Sequence, residues 1–223
     1  MKQRDLYYLQ GLAKEGRIKF VNLAQYGEYA VAESTNGFCY MRIAEKNNKR
    51  FKEGFFEFTG RGSQDEVALP IGYEIRTLEG KKIASYQYTE PFSIGIGEQG
   101  EFKATFKRED LLFFLKYCLC NWKRTEAKKY TLIFHRDSYV WRVRACEGDK
   151  VKFKEFEPSY DDTITDTTFR FMVNPHTFRH ILKWFEGDSI TLYFQNGNYE
   201  CKTPIYMRDD NKLAVLMPIA RVK

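Results

Sequence analysis

The chain has 223 residues, 43% of them hydrophobic and 17% aromatic, with 36 Lys+Arg against 30 Asp+Glu for a net charge of +6. That is enough material for one large or two small domains with a packed core. The 30% charged content and the lack of a long apolar run argue against a membrane-spanning helix. The opening Met1-Lys2-Gln3-Arg4-Asp5 is followed by no signal-peptide core, so a cytoplasmic protein is expected.

The charge is unevenly spread. Residues 1–100 hold 14 Lys+Arg against 13 Asp+Glu, and residues 101–223 hold 22 against 17. A basic excess in the second half permits contact with nucleic acid without requiring it. The five cysteines are scattered and odd in number, which fits reduced core residues better than a disulfide framework. Cys118 and Cys120 stand too close for the usual zinc pair, and no second pair follows.

The first hundred residues read as mostly β after a short helix over Asp5 to Lys14, which places Leu6, Leu9 and Ala13 on one face. Strands are expected at Ile18-Lys19-Phe20-Val21 and Tyr29-Ala30-Val31-Ala32. Asn36-Gly37 is a hairpin signal leading into Phe38 to Ile43. Phe55 to Phe58, Tyr73 to Thr77 and Lys82 to Tyr88 are further strand candidates, while residues 60–70 show no convincing second helix.

Gly95-Ile96-Gly97-Glu98-Gln99-Gly100 spells G-x-G-x-x-G. A dinucleotide site needs those glycines to open a helix. Here they run into Glu101 to Phe106, whose alternation is that of a strand. The segment reads as a connector between a domain over residues 1–97 and a second over 101–223.

In the second half Leu111, Leu112, Leu115, Cys118, Leu119 and Trp122 recur at helical spacing. Strands follow at Tyr130 to Phe134, Tyr139 to Cys146 and Lys150 to Phe156, then a polar loop from Pro158 to Thr168. A strand at Phe169 to Val173 leads to Asn174 and Pro175, an N-cap and a first helical residue. The helix they open ends near Gly187, and strands are expected at Ile190 to Phe194, Tyr199 to Lys202 and Leu213 to Ile219. The half thus contains one order twice: helix then strands, and helix then strands again.

On the later helix Phe178, Ile181, Leu182 and Phe185 face the core, and His176, Arg179, His180 and Lys183 lie opposite. The earlier helix carries Lys116 and Lys123 away from its apolar stripe and ends at Arg124. Such faces are either ordinary solvated surfaces or a positive platform for phosphates. Enzymatic readings find little support. His176 and His180 stand one turn apart without an intervening Glu and beside Arg179, a poor metal site. Asp161, Asp162 and Asp166 read as a solvated turn, and no nucleophile elbow is present.

Phe169 to Asn174, the helix to Phe185, Ile190 to Phe194 and the ending Ala214-Val215-Leu216-Met217-Pro218-Ile219 together resemble the last domain of bacterial DNA polymerase III beta sliding clamps. Val31 to Phe38 resembles a strand-turn of the same family. The resemblance implies an α+β, DNA-clamp-like fold of two domains, with helices on one face of antiparallel sheets. It implies a non-enzymatic processivity factor without cofactor or metal, whose partners are duplex DNA, DNA polymerase and clamp-loader peptides. Lys116, Lys123, Arg124, Arg179 and Lys183 would face DNA. Gly37, Phe38, Val215, Met217, Pro218 and Ile219 would form a hydrophobic groove for partner peptides. Family rings contain six domains, so a two-domain subunit implies a homotrimer. The alternative is a clamp-like module that binds protein or nucleic acid without encircling it.

Overall fold

The computed structural model describes residues 1–14, 20–46, 53–56, 74–76, 82–85, 102–119, 130–137, 140–147, 150–156, 163–164, 168–195, 201 and 203–219. The chain divides into two compact units, Met1–Gly37 with Met41–Gly97, and Phe38–Tyr40 with Glu98–Lys223.

In the first unit α1 (Gln3–Ala13) precedes β1 (Val21–Tyr26), β2 (Tyr29–Thr35), β3 (Cys39–Lys46), β4 (Gly54–Phe56), β5 (Glu74–Arg76) and β6 (Lys82–Ser85). The strands run in the order β4-β1-β2-β3, and β5 and β6 form a separate antiparallel pair. Tyr26 faces Tyr29 across β1 and β2, so Gly27 and Glu28 alone make the turn. Gly27 supplies the positive φ, 56°, that a tight hairpin with right-twisted strands demands.

Helix α1 packs on β1 and β2 through Leu9, Leu12 and Ala13, all buried. Ser34 Oγ donates to the Leu9 carbonyl at 2.8 Å, which pins the helix to β2. Asn22 Nδ2 donates to the buried Glu33 carboxylate at 2.9 Å, so the carboxylate gains a partner in place of water. The expected Asn36-Gly37 turn forms between β2 and β3: Gly37 takes φ 90°, and its N–H donates to Thr35 Oγ1 at 3.1 Å. A Cβ at Gly37 would meet nothing within 4 Å, so backbone conformation alone selects glycine there.

The second unit is a βαβββ pattern run twice. The first run is β7 (Phe102–Lys107), α2 (Arg108–Leu119), β8 (Tyr130–Asp137), β9 (Val140–Glu147) and β10 (Lys150–Phe156). The second is β11 (Thr168–Val173), α3 (Pro175–Trp184), β12 (Ser189–Phe194), β13 (Ile205–Arg208) and β14 (Lys212–Leu216). Each run gives its first strand to the other's sheet: β11 pairs with β8, and β7 pairs with β12. The orders are therefore β10-β9-β8-β11 and β14-β13-β12-β7, with every neighbouring pair antiparallel. The exchange ties the halves together through backbone hydrogen bonds.

An aromatic cluster fills the space between them. Phe134 stacks on Phe171 with centroids 4.5 Å apart and planes 10° from parallel. It meets Phe106 at 5.8 Å and Phe178 at 5.5 Å edge-on. Phe106 also sits 5.2 Å from Trp141. These offset and T-shaped geometries are the favourable ones for ring quadrupoles.

Asn174 caps α3 as its sequence position requires, Oδ1 accepting from the N–H groups of His176 at 3.0 Å and Thr177 at 3.1 Å. Replacing Asn174 with Ala should cost about 1 kcal/mol, read as an earlier midpoint in chemical unfolding. An unchanged midpoint would mean that the cap carries no energy. The far end stops near Gly187 by a different means from a glycine cap, because Gly187 is not among the positive-φ glycines. Instead Lys212 Nζ donates to the Trp184 carbonyl at 3.0 Å, and the Arg108 guanidinium donates to the carbonyls of Leu182 and Gly187. Cations satisfy the orphan carbonyls and complement the negative end of the helix dipole.

The ending differs from the sequence expectation in two places. Residues 199, 200 and 202 lie outside the described residues, and Cys201 is not in a strand; its N–H donates to the Arg170 carbonyl at 2.9 Å. The strand in this region is β13, which the sequence reading did not identify. Ile205, Tyr206 and Met207 are all buried, so the period-2 alternation that marks a half-exposed strand is missing. Strand β14 then stops at Leu216, three residues before Ile219. The connector at residues 95–100 lies outside the described residues, and β7 follows where the alternation over Glu101 to Phe106 predicts a strand.

Candidate nucleic-acid interface and partner strip

Helices α2 and α3 pack against each other. Leu111, Phe114 and Leu115 from α2, and Phe178, Ile181, Leu182 and Trp184 from α3, are buried beneath them. Phe114 and Trp184 join the apolar faces expected from the sequence. The outward turns place Lys116 and Lys183 on the surface, with Arg179, His176 and His180 half-buried. These cations are brought together: partial burial, then the charges of Arg179 and Lys116, hold the Lys183 ammonium below its ordinary pKa. Like charges gathered this way store repulsion that a bound polyanion relieves. Lys123 and Arg124 lie outside the described residues.

A second basic row runs across the sheet. Arg170, His135 and Arg142 are register partners on β11, β8 and β9, on the face opposite the buried Phe134, Phe171 and Val143. Burial lowers the His135 pKa, the neighbouring Asp137 opposes that, and Arg144, Arg142 and Arg170 add to it. Arg142 is already engaged, bonding Asp137 at 3.1 Å. Among the described residues, no group of three or more His, Cys, Asp or Glu side chains could hold a metal ion.

The C-terminal strip continues from β14 in extended form. The Met217 N–H donates to the Phe38 carbonyl at 2.8 Å and the Ile219 N–H to the Met172 carbonyl at 2.7 Å, both within the second unit. These anchors alternate along the backbone and leave apolar side chains outward: Phe38 is 73% exposed, Met217 42% and Ile219 37%. Pro218 is half-buried. Val215 is buried and pairs with Tyr206 across β13 and β14. Gly37 supplies the turn conformation that leads into Phe38.

The structure resembles solved structures over 98–99% of its length. The DNA polymerase III subunit beta of Pseudomonas aeruginosa superposes with a TM-score of 0.68 at 12% identity, covering 99% of this chain and 65% of that one. The chain has the fold of DNA sliding clamps. The Bartonella birtlesii sliding clamp bound to griselimycin gives a TM-score of 0.67 at 12% identity, with 98% and 64% covered. The Helicobacter pylori beta clamp bound to a DNA ligase peptide gives 0.63 at 11%, with 98% and 63% covered. This clamp-fold chain therefore spans less than two thirds of the length of each. By sequence, no family model and no curated protein matches it.

One exposed pair lies outside the residues that helical spacing assigns to the core. Phe113 and Tyr117, four residues apart on α2, are 70% and 61% exposed. Their signal was available: both lie off the stripe set by Leu111 and Leu115. No described helix is long and apolar enough to cross a membrane.

Proposed function

We propose that the chain is a sliding-clamp-like processivity factor for DNA replication that encircles duplex DNA and tethers a polymerase. The observation that carries this reading is the clamp fold with Lys116, Arg179 and Lys183 gathered on its paired helices. A cluster of cations suits contacts to phosphate, which hold DNA without fixing a sequence and let a protein slide. Lys123 and Arg124, which follow α2 in the sequence, are proposed to extend it. No chemical step is required of such a protein, and none is assigned. Each unit is proposed as one clamp domain, with three copies closing a ring.

The decisive experiment is retention on DNA. Loaded onto nicked circular duplex, the protein should stay bound through gel filtration and be lost when the circle is cut. A concentration-independent monomer that escapes circular and linear DNA alike would overturn the ring and leave a clamp-fold module that binds without encircling.

The strip of Phe38, Met217, Pro218 and Ile219, together with Val215 and entered through Gly37, is proposed as the docking groove for polymerase and loader peptides. Peptide binding is described for the Helicobacter pylori clamp, and exposed apolar side chains held by backbone hydrogen bonds suit aromatic or aliphatic anchors. Met217→Asp with Pro218→Asp should weaken a fluorescent peptide of that anchor chemistry by roughly ten-fold or more, with assembly unchanged. Unaltered peptide affinity would remove the strip from the partner site.

A further inference from the structure

Cations alone account for contacts to duplex phosphate; they do not account for two large aromatic side chains, 70% and 61% exposed, on the same helix. Phe113 and Tyr117 occupy successive turns of α2, so they line up along one face. At about 100° per residue, Lys116 lies roughly 60° around the helix from Phe113, on the flank beyond which the charges of Lys183 and Arg179 gather. Glu109 continues the aromatic line one turn earlier and is exposed. The surface is thus graded from an acidic N-terminal turn, through two aromatic planes, to a basic cluster.

From this juxtaposition we infer that α2 and α3 form a platform for single-stranded nucleic acid, with unpaired bases stacking on Phe113 and Tyr117 while Lys116, Arg179 and Lys183 hold the adjoining phosphates. Aromatic planes beside a basic track are the general solution for binding unpaired strands, because every base offers a π-face whatever its sequence. A paired base in a duplex keeps its faces stacked on its neighbours and cannot use them. An exposed aromatic pair alone would suit a protein partner equally well. The adjoining cations decide for a polyanion, and Glu109 directs it toward the C-terminal half of the helix. This inference rests on the nucleic-acid-facing role proposed for the two helices and adds an unpaired strand to the duplex they are proposed to hold.

The test compares a labelled oligothymidylate with a blunt duplex of equal length, titrated with the full chain by fluorescence anisotropy at low salt. The single strand should bind more tightly. Phe113→Ala with Tyr117→Ala should weaken it by roughly ten-fold or more, with duplex binding and the salt slope unchanged. Tyr117→Phe should retain single-strand affinity. Both side chains are exposed, so the double variant should keep the parent's unfolding midpoint and sedimentation coefficient.

Single-strand affinity unmoved by the double substitution, or a duplex bound as tightly as the single strand, would overturn the inference and leave the duplex-binding role standing. A changed oligomeric mass in the double variant would also overturn it, marking the pair as a contact between copies of the chain. Failure to bind the single strand would likewise overturn the inference, whereas the ring reading stands or falls on retention on circular duplex.

Discussion

Reversing Arg179 and Lys183 to Glu should lower duplex affinity on the order of a hundred-fold at about 0.1 M salt and cut the salt slope by roughly 2. Both numbers come from counterion release. Each phosphate contact on duplex DNA contributes about 0.9 to the slope, hence about 0.9 of a decade in affinity at that salt. Two lost contacts remove nearly two decades, and the introduced carboxylates add repulsion. Misfolding is not expected to mimic the effect. Lys183 lies at the surface, and partial burial, followed by the like charges of Arg179 and Lys116, lowers its pKa. Removing cations there relieves repulsion, so thermal stability should hold or rise.

Arg179→Gln with Lys183→Gln provides the milder version, with the same change in slope and a smaller loss. Arg144→Glu, exposed on β9, is the control for the sheet face and should leave duplex binding within about two-fold, the order of an unrelated surface charge. If Arg144→Glu proves damaging while the helix reversal does not, the sheet and not the helices meets DNA. An unchanged slope in the helix variant would remove α3 from the interface.

Phe134→Ala should destabilise the second unit by about 3–5 kcal/mol, a large part of the roughly 5–15 kcal/mol that holds a typical domain. Phe134 is fully buried and touches aromatic rings from β7, β11 and α3 at once. Its removal therefore takes away more than transferred area: a cavity opens at the junction of the two βαβββ halves, and three ring contacts are lost with it. Intrinsic fluorescence gives a clean readout, because Trp122, Trp141 and Trp184 all belong to the second unit. In a urea titration of the full chain, the tryptophan-monitored transition should shift to markedly lower denaturant. Phe134→Leu should shift it less. A loss below about 1 kcal/mol, less than a typical buried deletion costs, would show that the halves are held together elsewhere.

Legibility in the sequence followed the range of the interactions. Helix α3 was readable because its cap, its proline and its apolar spacing all fall within a dozen residues, and local physics sufficed. The Asn36-Gly37 turn was readable for the same reason. Strand β13 was not, since its buried Ile-Tyr-Met run shows no alternation. The stop of α3 was placed near Gly187, yet its cause lay in Arg108 and Lys212, distant in sequence and brought to the helix end by the fold. In the candidate site, the cations of α2 and α3 could each be named from helical spacing. Phe113 and Tyr117 were not legible as a surface, because helical spacing fixes the buried stripe and says nothing of what an aromatic outside it meets.

What the sequence determined by itself is therefore local: the helices and their basic faces, most strands, the hairpin turn, and an apolar ending resembling a clamp's. Tertiary structure alone decided that the two runs exchange their first strands, since β7 and β12 pair across 82 to 92 positions, from Lys107 with Ser189 to Phe102 with Phe194, and no short-range signal encodes that choice. It alone brought Lys116 to Arg179 and Lys183, and turned Met217 and Ile219 outward by anchoring their backbones to Phe38 and Met172. The reason is common to all three. Charge and exposure become a surface only when segments far apart in the chain are packed side by side, and the energy that does this is spread over the buried aromatic core.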